Sequence, residues 1–198
     1  GVVGESAVSR STQATGVVVD DEPEVADVYA LRLQTAFDTR VAYGGEAALE
    51  AVDEDVDAVL LDRRMPGLSG DEVLERLRGR GYDGVVVMIT AVDPDLNILE
   101  MDFDDYLCKP VDKETVLRTL EQHLGAPGST DDRLDEFFQV ISKLSVLRAE
   151  RTRTELETNE EFRRLERRAD ELAEDLRERL DGFEDLVETH RSISRGSP

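Results

Sequence analysis

Five polar side chains stand where apolar runs of this sequence end. Val17-Val18-Val19 leads into Asp20 and Asp21, Ala58-Val59-Leu60-Leu61 into Asp62, and Val85-Val86-Val87-Met88-Ile89 into Thr90. Tyr106-Leu107-Cys108 leads into Lys109 and Pro110. Three carboxylates brought together raise one another's pKa unless a cation compensates. A hard divalent ion answers that need, and Mg²⁺ suits a few carboxylates, several waters and an incoming phosphate. One carboxylate can then attack phosphorus and carry the phosphoryl group. The metal neutralises charge developing on the phosphoryl oxygens, and the Thr90 hydroxyl and Lys109 ammonium can be aimed at the same oxygens.

The elements that would gather these groups follow from the runs themselves. Continuous apolar runs predict parallel strands buried on both faces, and ligands of an open parallel sheet bind outside the carboxyl ends of its strands. Glu22-Pro23-Glu24 opens a helix, with proline in its first turn and acids at the positive end of its dipole. A weaker strand is expected over 39–43, and Gly44-Gly45 turns it into a helix over 46–53. Met65 to Gly70 forms a loop in which Ser69 can cap a helix over 71–78. A short helix of about two turns is expected over 94–101 and a last one over 112–124. Strands alternating with helices give an α/β doubly wound, five-stranded parallel sheet.

Taken singly, each motif has a plainer reading: Asp-Asp after a strand as a turn, Lys-Pro as a commonplace, Thr at a strand end as packing. Five in order, each at a strand terminus, favour the chemical one. Residues 16–125 resemble the receiver domain of two-component response regulators. The resemblance rests on Val-Asp-Asp-Glu-Pro at 19–23, Leu-Leu-Asp at 60–62 followed by Met-Pro-Gly at 65–67, Ile-Thr-Ala at 89–91, and Asp-Asp-Tyr-Leu-Cys-Lys-Pro at 104–110. It implies a flavodoxin-like strand order of 2-1-3-4-5 and phosphorylation of Asp62 by a sensor histidine kinase. It also implies Mg²⁺ on Asp20, Asp21, Asp62 and the main-chain carbonyl of Arg64. Thr90 would sense the phosphoryl group, Lys109 would pair with it, and the bond before Pro110 would be cis. Tyr106 stands at the family's rotameric switch, or is simply a half-buried strand tyrosine. Thr90 and Lys109 are 19 residues apart, shorter than the family's habit, and the missing length falls in the fourth helix, which belongs to the usual output face.

The formal charge is −22, and lysine occurs only at 109, 113 and 143. Such a chain does not suit nucleic-acid phosphate as a default partner, because phosphate contacts need clustered Lys and Arg. Rich in Asp, Glu and Arg, it resembles haloarchaeal proteins, where salt screens self-repulsion; an acidic bacterial protein is the alternative. One cysteine, Cys108, excludes an internal disulfide and fits a cytoplasmic location. No run nears the ~20 apolar residues of a membrane span. Residues 1–15, polar and without an apolar core, are expected as a disordered leader rather than a signal peptide.

Residues 126–132 read as a linker. Residues 133–190 then repeat apolar residues at heptad spacing: Leu134, Phe137, Ile141, Leu144, and later Phe162, Leu165, Ala169, Leu172, Leu176, Phe183 and Leu186. Arg148, Arg151, Glu155 and Thr158 interrupt the seam, so the segment is one long helix with a wet middle or a hairpin, with Thr158 and Glu161 able to cap a second helix. It resembles the haloarchaeal HalX domain. Arg163, Arg164, Arg167 and Arg168 are expected to be solvated and paired with Glu160, Glu161 and Glu171, and His123 and His190 to be surface residues. Residues 191–198 are expected to be disordered. The heptads predict a homodimer through these helices, or packing on the chain's own receiver. The expected function is a response regulator in a phosphorelay, transmitting through a helical output domain, with no substrate turnover beyond its own phosphoryl group. The alternatives are a transcriptional regulator whose tail binds DNA and a scaffold with a silent receiver.

Overall fold

The computed structural model describes residues 13–124 and 132–196. The expected leader and linker therefore fall almost wholly outside the described residues. Five parallel strands, β1 (Thr15–Val19), β2 (Asp38–Ala42), β3 (Ala58–Leu61), β4 (Val85–Thr90) and β5 (Asp105–Cys108), pair in the order β2-β1-β3-β4-β5. Their connections are α1 (Pro23–Leu33), α2 (Gly45–Ala51), α3 (Gly70–Gly79) and a 3-10 turn (Leu96–Glu100), and α4 (Lys113–Leu124) follows β5. Side chains alternate across a strand, and the central strands bury both sets. Val17, Val19, Val59, Leu61, Val86, Met88, Tyr106 and Cys108 belong to one apolar layer, with α2 and α3. Val18, Leu60, Val87, Ile89 and Leu107 belong to the other, with α1 and α4.

The expected helix over 94–101 is replaced by the 3-10 turn of Leu96–Glu100, capped by the Asp95 carboxylate accepting from Asn97 N at 3.1 Å. With the connection this short, no full helix covers the β4–β5 part of the first layer, and the carboxyl-terminal helices take that place. These are α5 (Asp132–Glu150), α6 (Arg153–Glu157), α7 (Glu160–Arg179) and α8 (Phe183–Arg191). Helix α5 packs against β5 and the 3-10 turn, and its Phe137, Phe138, Val140 and Leu144 join the core that holds Ile98, Phe103 and Tyr106. Lys143 lays its stem there and places Nζ 5.3 Å from the centre of the Phe103 ring.

Of the two forms open to the tail, the structure shows the hairpin. Helices α5 and α7 run antiparallel, bridged by Arg133–Asp175 at 2.9 Å, Glu136–Arg168 at 2.8 Å and Arg148–Glu166 at 2.7 Å. Leu134, Phe137 and Leu144 meet Phe162, Ala169, Leu172 and Leu176 in one buried cluster, so the heptad seam is used within the chain. The polar interruption makes the bend. Thr152 caps α6, its Oγ1 accepting from Glu155 N and donating to Glu155 Oε1. The cap of α7 is Asn159, whose Oδ1 accepts from Phe162 N at 2.8 Å, not Thr158, whose hydroxyl turns back to Thr154 O. Of the four arginines expected to be solvated and paired, Arg164 pairs with Glu161 and Arg168 with Glu171, each three residues away rather than four.

Three expectations for the end of the chain are overturned. His123 is not a surface residue: its side chain is 4% exposed and its Nε2 lies 2.8 Å from Asp105 Oδ2. His190 is fully buried, stacked on Phe138 at 5.3 Å between ring centres, with Nε2 2.8 Å from Ser142 Oγ. Residues 191–196 are not disordered, for Ile193 and Arg195 are buried against β5 and α4. Asp105 is the physical reason: a carboxylate inside a strand with no exposure needs a cation and donors, and Arg195 and His123 supply them.

Candidate functional site

The acidic side chains gather at the carboxyl ends of β1 and β3. Asp20 and Asp62 are the first residues past those strands, both buried, while Asp21 is half-buried. One oxygen from each of Asp20, Asp21 and Asp62 lies within 4.8 Å of the others. Asp20 Oδ1 accepts from Glu22 N at 2.9 Å, which folds the chain sharply into α1. From the end of β5, Lys109 reaches back so that Nζ donates to Asp20 Oδ2 and lies 3.8 Å from Asp62 Oδ2. Lys109 is itself fixed by its N–H, which donates to Thr90 O at 2.8 Å, and the Lys109–Pro110 bond is cis.

Thr90 is fully buried at the end of β4, and its Oγ1 accepts from Val92 N at 3.2 Å. Burial pushes the Asp62 carboxyl above its ordinary range, and the Asp20 charge adds to that; Lys109 and the Thr90 hydroxyl act in the opposite direction. A buried carboxylate short of positive charge is the condition a bound divalent cation relieves. The donor set fits Mg²⁺: three converging carboxylates, of which Asp21 is half-exposed. Arg64, two residues past Asp62, is exposed at this rim.

Tyr106 is fully buried rather than half-buried. Its hydroxyl donates to Val92 O at 2.6 Å and accepts from Arg63 Nη1 at 3.3 Å, and burial raises its pKa to about 12. Arg63 is a site residue the sequence reasoning missed. Its guanidinium forks onto Asp71, at 3.0 and 2.9 Å, at the start of α3, so the residue after Asp62 ties β3, α3 and Tyr106 together. An arginine inside the strand-to-helix loop, eight residues before an acid in the first helical turn, was the available signal.

Gly70 sets how closely α3 approaches Asp62. Its N–H donates to Arg63 O at 2.7 Å, and a Cβ there would stand 1.9 Å from Asp62 O. That neighbour is backbone and cannot turn aside. Gly70→Ala is expected to cost about 1–3 kcal/mol by overpacking and to displace Asp62, read as a lower urea midpoint with unchanged slope.

A five-stranded sheet of order 2-1-3-4-5 with an acidic pocket and a lysine at its carboxyl rim defines an α/β domain of the receiver type. Residues 17–121 match the response regulator receiver domain and residues 128–194 the HalX domain, and the chain belongs to the response regulator receiver family. A relative from Haloferax volcanii, provisionally named a transcriptional regulator, is 44% identical over 144 residues, covering 72% of this chain and 25% of its own. The chain thus spans about a quarter of that relative. A CheY-like receiver domain from Methylobacillus flagellatus is 26% identical with a TM-score of 0.50, covering 56% of this chain and all of its own. A CheY-like receiver domain protein from Methanospirillum hungatei shares the fold at 21% identity and a TM-score of 0.53, over 57% of this chain and 94% of its own.

Proposed function

We propose that this response regulator accepts a phosphoryl group on Asp62 from a sensor histidine kinase, with Mg²⁺ in the acidic pocket, and passes the change to its helical domain. The observation that carries the reading is the convergence of Asp20, Asp21 and Asp62 beneath the Lys109 ammonium. An Asp62 oxygen attacks phosphorus, the bond from phosphorus to the kinase imidazole breaks, and the electron pair leaves with that imidazole. Asp20, Asp21, Asp62 and the Arg64 carbonyl would hold Mg²⁺, which would supply charge neutralisation at the phosphoryl oxygens. Lys109 exchanges Asp20 for a phosphoryl oxygen, and the Thr90 hydroxyl donates to another.

The route outward is short. Thr90 and Val92 are joined, Val92 O holds Tyr106, and Tyr106 shares a core with Phe137, Phe138 and Leu144 of α5. A shift of Thr90 therefore reaches the helical hairpin inside one molecule, and the surface that hairpin presents is the output. A homodimer through these helices would use their outer faces, because the heptad seam is already covered. A cytoplasmic location is part of this reading, since a single cysteine, Cys108, suits a reducing compartment; among the described residues no helix is long and apolar enough to cross a membrane.

The name of the Haloferax relative favours a second reading, in which the output is transcriptional and the helical domain contacts DNA. A salt-dependent shift of DNA mobility by the phosphorylated chain would support it. For the first reading, incubation with acetyl phosphate and Mg²⁺ is expected to add one phosphoryl group to the wild-type chain by intact mass. Asp62→Asn and removal of Mg²⁺ by a chelator are each expected to abolish it. Equal labelling of wild type and Asp62→Asn would overturn the assignment.

A further inference from the structure

β5 is the outer strand of the sheet, and outer strands leave a row of unpaired main-chain groups. In this chain two of them are met locally. The Tyr106 N–H donates to Asp105 Oδ1 at 2.8 Å, and the Cys108 N–H donates to Arg195 O at 3.0 Å. The carboxyl-terminal segment thus meets the free edge of β5 at Cys108. Its side chains are seated two residues apart: Ile193 in the apolar layer shared with α1 and α4, and Arg195 on Asp105.

The arginine is held as a specific guest. Its Nε and Nη2 fork onto Asp105 at 2.7 and 2.9 Å, while Nη1 donates to His190 O and Ile193 O. The carboxylate also faces His123 Nε2, and Arg195 Nη2 lies 2.9 Å from His190 Nε2. Asp105, His123 and His190 are spaced as metal ligands could be, but the guanidinium is already within 2.9 Å of two of them. The cation this slot takes is an arginine.

We propose that the free edge of β5 is a strand-docking site for an extended Ile-x-Arg segment, filled in this conformation by the chain's own residues 193–195 and open, once they leave, to the same segment of a second copy. Strand addition draws affinity from main-chain bonds and specificity from pockets for alternate side chains; here one such bond, from Cys108 N–H to Arg195 O, stands beside seats for Ile193 and Arg195. The segment is short, follows α8 directly, and is anchored to β5 by one main-chain bond and one fork, with Ile193 in the apolar layer and Ser192, just before it, accepting from Arg118. Exchange of an identical element between copies is a low-cost route to association. Tethering gives the cis segment an effective concentration on the order of millimolar, so the closed form excludes the same segment offered at micromolar concentration.

The test uses the full chain and a fluorescent peptide spanning residues 189–198. In Arg195→Ala the Cys108 amide is expected to exchange at least ~10-fold faster, and by a larger factor than the amides of β1 and β3. The peptide is expected to bind Arg195→Ala, but not the wild type at the same concentration. The same peptide carrying Arg195→Ala is expected to bind neither. Unchanged protection of Cys108, no binding to the opened chain, equal binding to wild type, or indifference to the peptide's arginine would each overturn the proposal. Arg195→Lys, which keeps the charge and loses the fork, gives the same readouts if the alanine variant does not fold.

Discussion

A chain ending at residue 125 is expected to fail as a cooperative fold, although it contains every strand of the sheet. Removing α5 to α8 strips the cover from Ile98, Phe103 and Tyr106, which are fully buried beside Phe137, Phe138 and Leu144. Exposing a large apolar side chain costs about 1.5–3 kcal/mol, so these three alone represent about 5–9 kcal/mol. That rivals the ~5–15 kcal/mol net stability of a whole domain. The truncation also leaves Asp105 buried beside His123 without Arg195, and breaking such a pair costs about 3–5 kcal/mol. Near-ultraviolet circular dichroism and urea titration of the two chains, in the same buffer, measure this. A truncated chain with a sharp transition at the wild-type midpoint would show that the helical domain lends the receiver nothing.

Acid is expected to loosen the junction between the two parts well before it affects the rest. Burial, aided by the Arg195 charge, lowers the His190 pKa from 6.5 to about 3. The unfolded chain therefore takes up a proton on this imidazole below about pH 6.5 that the folded chain refuses. Stability from this group is full above pH 6.5 and falls as pH drops, by about 1.4 kcal/mol per unit between the two values. At pH 4.5 the loss is about 2–3 kcal/mol. Asp105 acts in the same direction: Arg195 and His123 overcome its burial and hold its carboxyl far below 3.8, so its contribution is present above that value and lost as pH falls through it. Urea unfolding of wild type and His190→Gln at pH 7 and 4.5 separates the two, since the variant lacks the histidine part of the loss. Equal pH dependence in both chains would refute it.

The acidic pocket was legible because its residues close strands whose apolar runs are unmistakable, and strand ends of a parallel sheet share one rim. Asp20, Asp21, Asp62, Thr90 and Lys109 needed no knowledge of side-chain packing to be brought together. The helical domain was half legible. Heptad spacing says which face of α5 and α7 is apolar, but not what covers it, and a stripe that meets a partner helix reads the same as one that meets a sheet. The Asp105 cluster was not legible from His123, His190 or Arg195, which stand where helix ends and tails ordinarily meet solvent. Its signal was Asp105 itself, an acid placed inside a strand buried on both sides, which requires a cation from somewhere in the chain.

The brevity of the Leu96–Glu100 turn reaches beyond this one molecule. Regulators are often treated as interchangeable cassettes, an input half joined to any output half. Here a donor half with a longer helix between β4 and β5 would bring that helix into the volume held by α5, and a recipient without the hairpin would leave the sheet bare. The two parts of this chain are matched by shape, and a graft between regulators would have to carry both sides of that joint.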